Sequence, residues 1–209
     1  EVLKFDLLCV ILQLISMKIE NNFYNIFAQL KHAKRPFVLY RLPNTNTLIY
    51  IQQKDSSNYT TVSLKEEGFV FAPFNRTNQF IYIPKHHVSK VDIPKPKARA
   101  KILNISETTA QKLYYNNLVA NAIKAISNGV IQKVVVSRLR KQELKQNIAE
   151  SFVRLLNAYP NAMVYFWSHP KTGTWIGATP ETLLNLEAGK CKTMALAGTI
   201  AHENNKLPK

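Results

Sequence analysis

The spacing of apolar residues changes several times along the chain, and each change marks a change of element. From Met17 onward, Ile19, Phe23, Ile26, Phe27 and Leu30 recur at steps of 4, 7, 8 and 11, which places them on one face of a helix. Short runs rich in aromatic and β-branched residues follow: Phe37–Arg41, Leu48–Gln52, Thr60–Leu64, Phe69–Phe74 and Phe80–Pro84. Turn-forming clusters separate them, among them Pro43-Asn44, Asp55-Ser56-Ser57-Asn58 and Asn75-Arg76-Thr77-Asn78, so the runs predict an antiparallel sheet. The stretch from Asp92 to Lys101, interrupted by prolines, reads as a crossing or linker.

The second half returns to helical spacing. Thr108 and Gln111 have the spacing of a capping box, and Asn128-Gly129 supply a stop, so a long helix is expected from Thr108 to Ser127. Its predicted buried stripe is Tyr115, Leu118, Val119, Ala122, Ile123 and Ile126. A strand, Val130 to Arg138, is expected next, then a helix carrying Ile148, Phe152, Leu155, Leu156 and Tyr159 up to Pro160. Strands near Ala162–Ser168 and Thr174–Ala178 flank a turn at His169–Gly173, and Leu183–Leu186 and Lys192–Leu196 flank one at Gly189. There is no internal repeat. The fold class is α+β with a large, mostly antiparallel sheet and packed helices. The expected organisation is a 17–101 α+β part with antiparallel strands followed by a second part, 102–209.

Residues 1–16 stand apart. The apolar run Leu7–Ile15 is shorter than the roughly 20 residues that span a bilayer, and Glu1, Lys4 and Asp6 do not suit a signal peptide. Two readings stay open for 1–16: sequence upstream of a natural start at Met17, or an extra N-terminal helix.

Composition adds one constraint. Lys and Arg number 28 against 13 Asp and Glu, a net charge of +15, so the chain favours an anionic partner. Charge alone does not choose among nucleic acid, anionic lipid and a small metabolite. The absence of a nucleic-acid-binding motif or a spanning segment argues against the first two. Cys9 and Cys191 lie far apart and form no CxxC pair, which fits a reducing, cytoplasmic setting. No histidines have metal-ligand spacing.

Three segments could carry chemistry. In Ile131-Gln132-Lys133-Val134-Val135-Val136-Ser137-Arg138, Lys133 beside valines could be desolvated, and a lysine so depressed becomes a general base. The competing reading is a strand-end lysine reaching water. In Gly177-Ala178-Thr179-Pro180-Glu181-Thr182-Leu183-Leu184, Glu181 could be a buried acid able to donate a proton; otherwise it is a glutamate at a helix N-terminus. In Ala195-Leu196-Ala197-Gly198-Thr199, small residues allow close approach of backbone to a ligand.

In this order, QKVVVSR, GATPETLL and ALAGT resemble the chorismate-utilising enzyme family, over about residues 104–201. Within it the likeness is greatest to isochorismate synthases of menaquinone or siderophore pathways. The resemblance implies an isomerase that converts chorismate to isochorismate with Mg²⁺, adding water at C2 while the C4 hydroxyl leaves. It implies Lys133 as the base activating water, where ammonia-using members carry glutamine, and Glu181 as the general acid, 48 residues further on. Ala197, Gly198 and Thr199 would lie against the substrate. The Mg²⁺-binding glutamates and the residues gripping the substrate carboxylate are expected in a C-terminal half beyond Lys209, so catalysis by these 209 residues alone is not expected. A salicylate synthase, or another member of the family, is the alternative enzyme; a non-catalytic basic domain that binds an anion is the alternative from another class.

Overall fold

The computed structural model describes residues 23–63, 65–73, 79–96, 107–141, 143 and 147–196. Helix α1 covers residues 23–32. Strands β1 (Phe37–Arg41), β2 (Thr47–Gln52), β3 (Thr60–Thr61), β4 (Gly68–Phe71), β5 (Phe80–Pro84) and β6 (Val88–Asp92) follow. Then come α2 (Thr109–Ser127), α3 (Ile148–Ala158), β7 (Met163–His169), β8 (Gly173–Thr179), β9 (Asn185–Glu187) and β10 (Lys190–Lys192). The chain divides into two units, Glu1–Ala100 with Leu144–Pro180, and Lys101–Glu143 with Glu181–Lys209.

The first unit is built around β1, which pairs antiparallel with β2 on one side and β7 on the other. The five-stranded order is β6-β2-β1-β7-β8, and β3-β5-β4 form a separate three-stranded sheet. Alternation along β1 sends Phe37 and Leu39 to one face and Val38 to the other, as the period of a strand requires. On the first face Phe23, Phe27 and Leu30 of α1 and Phe152, Val153 and Leu156 of α3 pack against Phe37, Leu39 and Phe166. On the second, Val38, Ile51 and Trp167 meet Ile81 and Ile83 of β5. Edge-to-face and stacked rings fill the first core, with Phe27 4.9 Å from Phe166 and Phe37 stacked on Phe166 at 5.6 Å.

Arg41 is among the buried polar side chains of this unit. Arg41, 3% exposed, donates from Nη1 to the Leu156 carbonyl at 2.9 Å and from Nη2 to the carbonyls of Tyr159 and Ala162. These are carbonyls at and just after the end of α3, where the helix itself leaves acceptors unpaired and a cation is favoured. Burial pulls the Arg41 guanidinium below its usual range.

In the second unit, α2 begins as the sequence predicts. Thr108 is its N-cap, Thr108 Oγ1 accepts from the Gln111 N–H at 3.2 Å, and Gln111 Oε1 accepts from the Thr108 N–H at 3.1 Å. The expected stripe, however, is not buried: α2 has no buried residue, and Ile123 is 59% exposed. The expected strand Val130–Arg138 also differs, since residues 131–141 form no strand. A strand exists only through its ladder. The described strands of this unit, β9 and β10, are paired with each other.

Smaller differences lie at strand ends. The Thr60–Leu64 run pairs only at Thr60–Thr61, the Phe69–Phe74 run pairs over Gly68–Phe71, and residues 64 and 74 lie outside the described residues. The last expected pair is shorter and shifted, to Asn185–Glu187 and Lys190–Lys192. β6 had no counterpart in the sequence reading; it pairs with β2 yet buries only Val91. Among the described residues no helix is long and apolar enough to cross a membrane.

Candidate active site

Glu181 follows β8 by two residues, and the chain reaches it through a tightly specified strand. Gly177 pairs with Tyr165 across the β7–β8 ladder. A Cβ at position 177 would lie 2.5 Å from Tyr165 Cε1, so the glycine of the GATPE segment is required by the tyrosine ring packed on it. Pro180, which lacks an N–H, comes just after the strand ends at Thr179. Beside this end of β8, Ile176, Ala178 and Pro180 line a cavity of about 510 Å³ together with Leu155 and Tyr159.

Beyond Pro180 the chain enters the second unit. No helix starts at Glu181, which removes the reading of a helix N-terminal glutamate. Its side chain is exposed, not buried as expected of a proton donor, and its Oε1 accepts from the Leu196 N–H at 3.0 Å. Two further bonds run alongside. The Met194 N–H donates to the Thr182 carbonyl at 2.8 Å, and Thr193 Oγ1 donates to the Leu183 carbonyl at 2.7 Å. The intervening β9–β10 hairpin makes this return possible, turning through Ala188 and Gly189 with φ of 49° and 74°. The second and third chemistry-bearing segments are therefore joined directly, through the carboxylate singled out as the acid. Ala197, Gly198 and Thr199 lie outside the described residues, immediately after Leu196 in sequence.

Lys133 lies in the same unit, on the segment that follows α2. Its side chain is exposed, and no valine wall encloses it: Val134 is 44% and Val135 73% exposed. The segment is nevertheless tied to α2 at both ends. At its start the Gly129 N–H donates to the Ile126 carbonyl and the Val130 N–H to the Ala125 carbonyl, each at 3.0 Å, with Gly129 at φ 72°. At its far end Arg138 forms an ion pair with Glu107, and its guanidinium lies 4.8 Å from the centre of the Tyr115 ring. A cavity of about 260 Å³ beside this contact is lined by Glu107, Gln111, Tyr114, Arg138 and Leu139. The sequence reading singled out Lys133, assigned no role to Arg138 or Glu107, and placed Tyr115 only in the buried stripe of the helix. Only the stacking and pairing across thirty residues of chain reveal them.

A divalent cation needs several oxygen donors converging on one point. Among the described residues no group of three or more His, Cys, Asp or Glu side chains is placed to hold a metal ion. The donor set of the described residues does not fit Mg²⁺.

Glu181 of the GATPE segment is bonded to the chain leading into ALAGT, and QKVVVSR lies in the same unit; these are the three segments that carry the resemblance to the chorismate-utilising enzymes. The family comparison agrees: the model for the chorismate binding enzymes matches residues 14–207, and the chain belongs to that family. Over 109 residues it is 28% identical to anthranilate synthase component 1 of Aeropyrum pernix, a match covering 51% of this chain and 25% of that protein. The match thus spans about a quarter of the length of that curated relative. No solved structure matches it significantly.

Proposed function

We propose that this chain carries the acid–base pair of an isochorismate synthase, with Lys133 as the base and Glu181 as the acid. In this reading the Lys133 amine takes a proton from water as the new C2–O bond forms, the ring double bonds shift, and the C4–O bond breaks. Glu181 gives its proton to the departing hydroxyl, which leaves as water, so the reaction consumes one water and releases one. Membership of the chorismate-binding family supports the substrate. The observation that carries the finer reading is a lysine, Lys133, where the resemblance puts glutamine in ammonia-using members. The bond from Leu196 to Glu181 supports the acid, because it brings that carboxylate to the segment preceding Gly198. Cytoplasmic residence and service to a menaquinone, siderophore or salicylate pathway belong to the same proposal.

A second reading has one observation in its favour. The relative from Aeropyrum pernix is named as an anthranilate synthase component, and the family resemblance makes that an ammonia-using reaction. Substitution at Lys133 separates the two. In the native protein, Lys133→Ala is expected to lower isochorismate formation about 10²- to 10⁴-fold, the usual contribution of a positioned base, and Glu181→Gln to do likewise. Isochorismate formation unchanged in Lys133→Ala would remove the lysine from the mechanism. Anthranilate as the wild-type product would favour the second reading.

A further inference from the structure

Lys133 sits on a segment with no strand partner among the described residues. Two anchors are visible. The first is the turn at Gly129-Val130, bonded to the last turn of α2. The second is Arg138, held between the carboxylate of Glu107, just before the N-cap of α2, and the face of Tyr115 in its second turn. The chain therefore leaves the C-terminal end of the helix, returns along it and is fastened near its start. Lys133 lies between the fastenings.

We propose that Arg138 is a positioning residue for the Lys133 base: clamped by Glu107 and Tyr115, it fixes which side of the returning segment faces α2. This rests on the assignment of Lys133 above. Arginine suits the task because its planar guanidinium can pair with a carboxylate and stack on a ring at once, which an ammonium does not reproduce. Both clamp partners flank the capping box, so the start of α2 fixes the helix and the segment together.

The test uses the native protein with Arg138→Gln, Arg138→Lys and Tyr115→Leu, each followed by steady-state kinetics and by hydrogen exchange of the amides of residues 131–137. The clamp predicts that Arg138→Gln lowers kcat about tenfold or more while KM stays within about twofold, since a small misplacement of a catalytic group acts on the chemical step. It predicts faster exchange at residues 131–137, partial recovery of both in Arg138→Lys, and a smaller loss in Tyr115→Leu. Adding Arg138→Gln to Lys133→Ala should cost nothing further, because the arginine acts through the lysine. Unchanged kcat and exchange in Arg138→Gln would overturn the proposal. So would an equal further loss in the double variant, or a general loss of protection throughout the protein. If Lys133→Ala alone leaves turnover intact, it is the assignment of Lys133 that has failed; the exchange data still show whether the clamp exists.

Discussion

His169 shows how one residue's environment sets a measurable property of the chain. It ends β7, is 4% exposed and stacks on Trp167 at 5.6 Å with planes 11° apart. Its Nδ1 accepts the Lys171 N–H at 3.1 Å, which leaves the proton of the neutral ring on Nε2. Burial, with Lys171 adding to it, pulls its pKa below the ordinary 6.5. In the unfolded chain the same imidazole takes up a proton near 6.5, while in the folded protein it resists until lower pH. The unfolded state then binds more protons, so His169 makes stability decline as pH falls below about 6.5. Urea midpoints measured from pH 7.5 to 5 are expected to fall, and to fall less steeply in His169→Gln. Equal slopes in the two proteins would show that His169 does not contribute. The candidate site residues are read differently, since their meaning lies in what they adjoin. Lys133 and Glu181 could be named from the sequence because each stands in a recognisable run. Arg138 could not, because nothing in the sequence links it to Glu107 and Tyr115.

At the scale of elements, what was legible depended on how much of each element's stability is local. β1 and β5 have the bounds read from the sequence, Phe37–Arg41 and Phe80–Pro84, because aromatic and β-branched runs between turns mark them at both ends. The capping box at Thr108 is local too. Partnership is not local. Val130–Arg138 has the composition of a strand without a ladder, whereas Val88–Asp92 has the ladder without the composition, its polar residues lying on an edge strand. The stripe on α2 has helical spacing, and whether a stripe is buried depends on what packs against it. The hairpin β7–β8 combines both kinds of information: Gly177 lies inside β8, at the place where the Tyr165 ring needs room. Gly177→Ala is expected to destabilise the first unit by about 1–3 kcal/mol through overpacking. Pairing it with Tyr165→Leu should recover part of that loss in urea unfolding. A single variant as stable as the wild type would mean that the ring moves aside without cost.

Over the whole molecule, the two units hold different shares of the evidence. The first holds the two packed cores and leads to Glu181 through β8. The second holds Lys133, Glu181 and the chain leading to Gly198, with α2 and the returning segment open along much of their apolar surface. A net charge of +15 suits an anionic substrate at either unit and singles out neither. The α+β class and the family follow from the whole chain, while the choice of nucleophile depends on one position. That choice has a direct chemical signature. If water is the nucleophile, the hydroxyl gained at C2 comes from solvent. The decisive measurement is turnover of chorismate by the native protein in ¹⁸O-labelled water containing ammonium, with products identified by mass spectrometry. The account predicts isochorismate carrying one ¹⁸O, lost in Lys133→Ala. Anthranilate in its place, or isochorismate without the label, would contradict it.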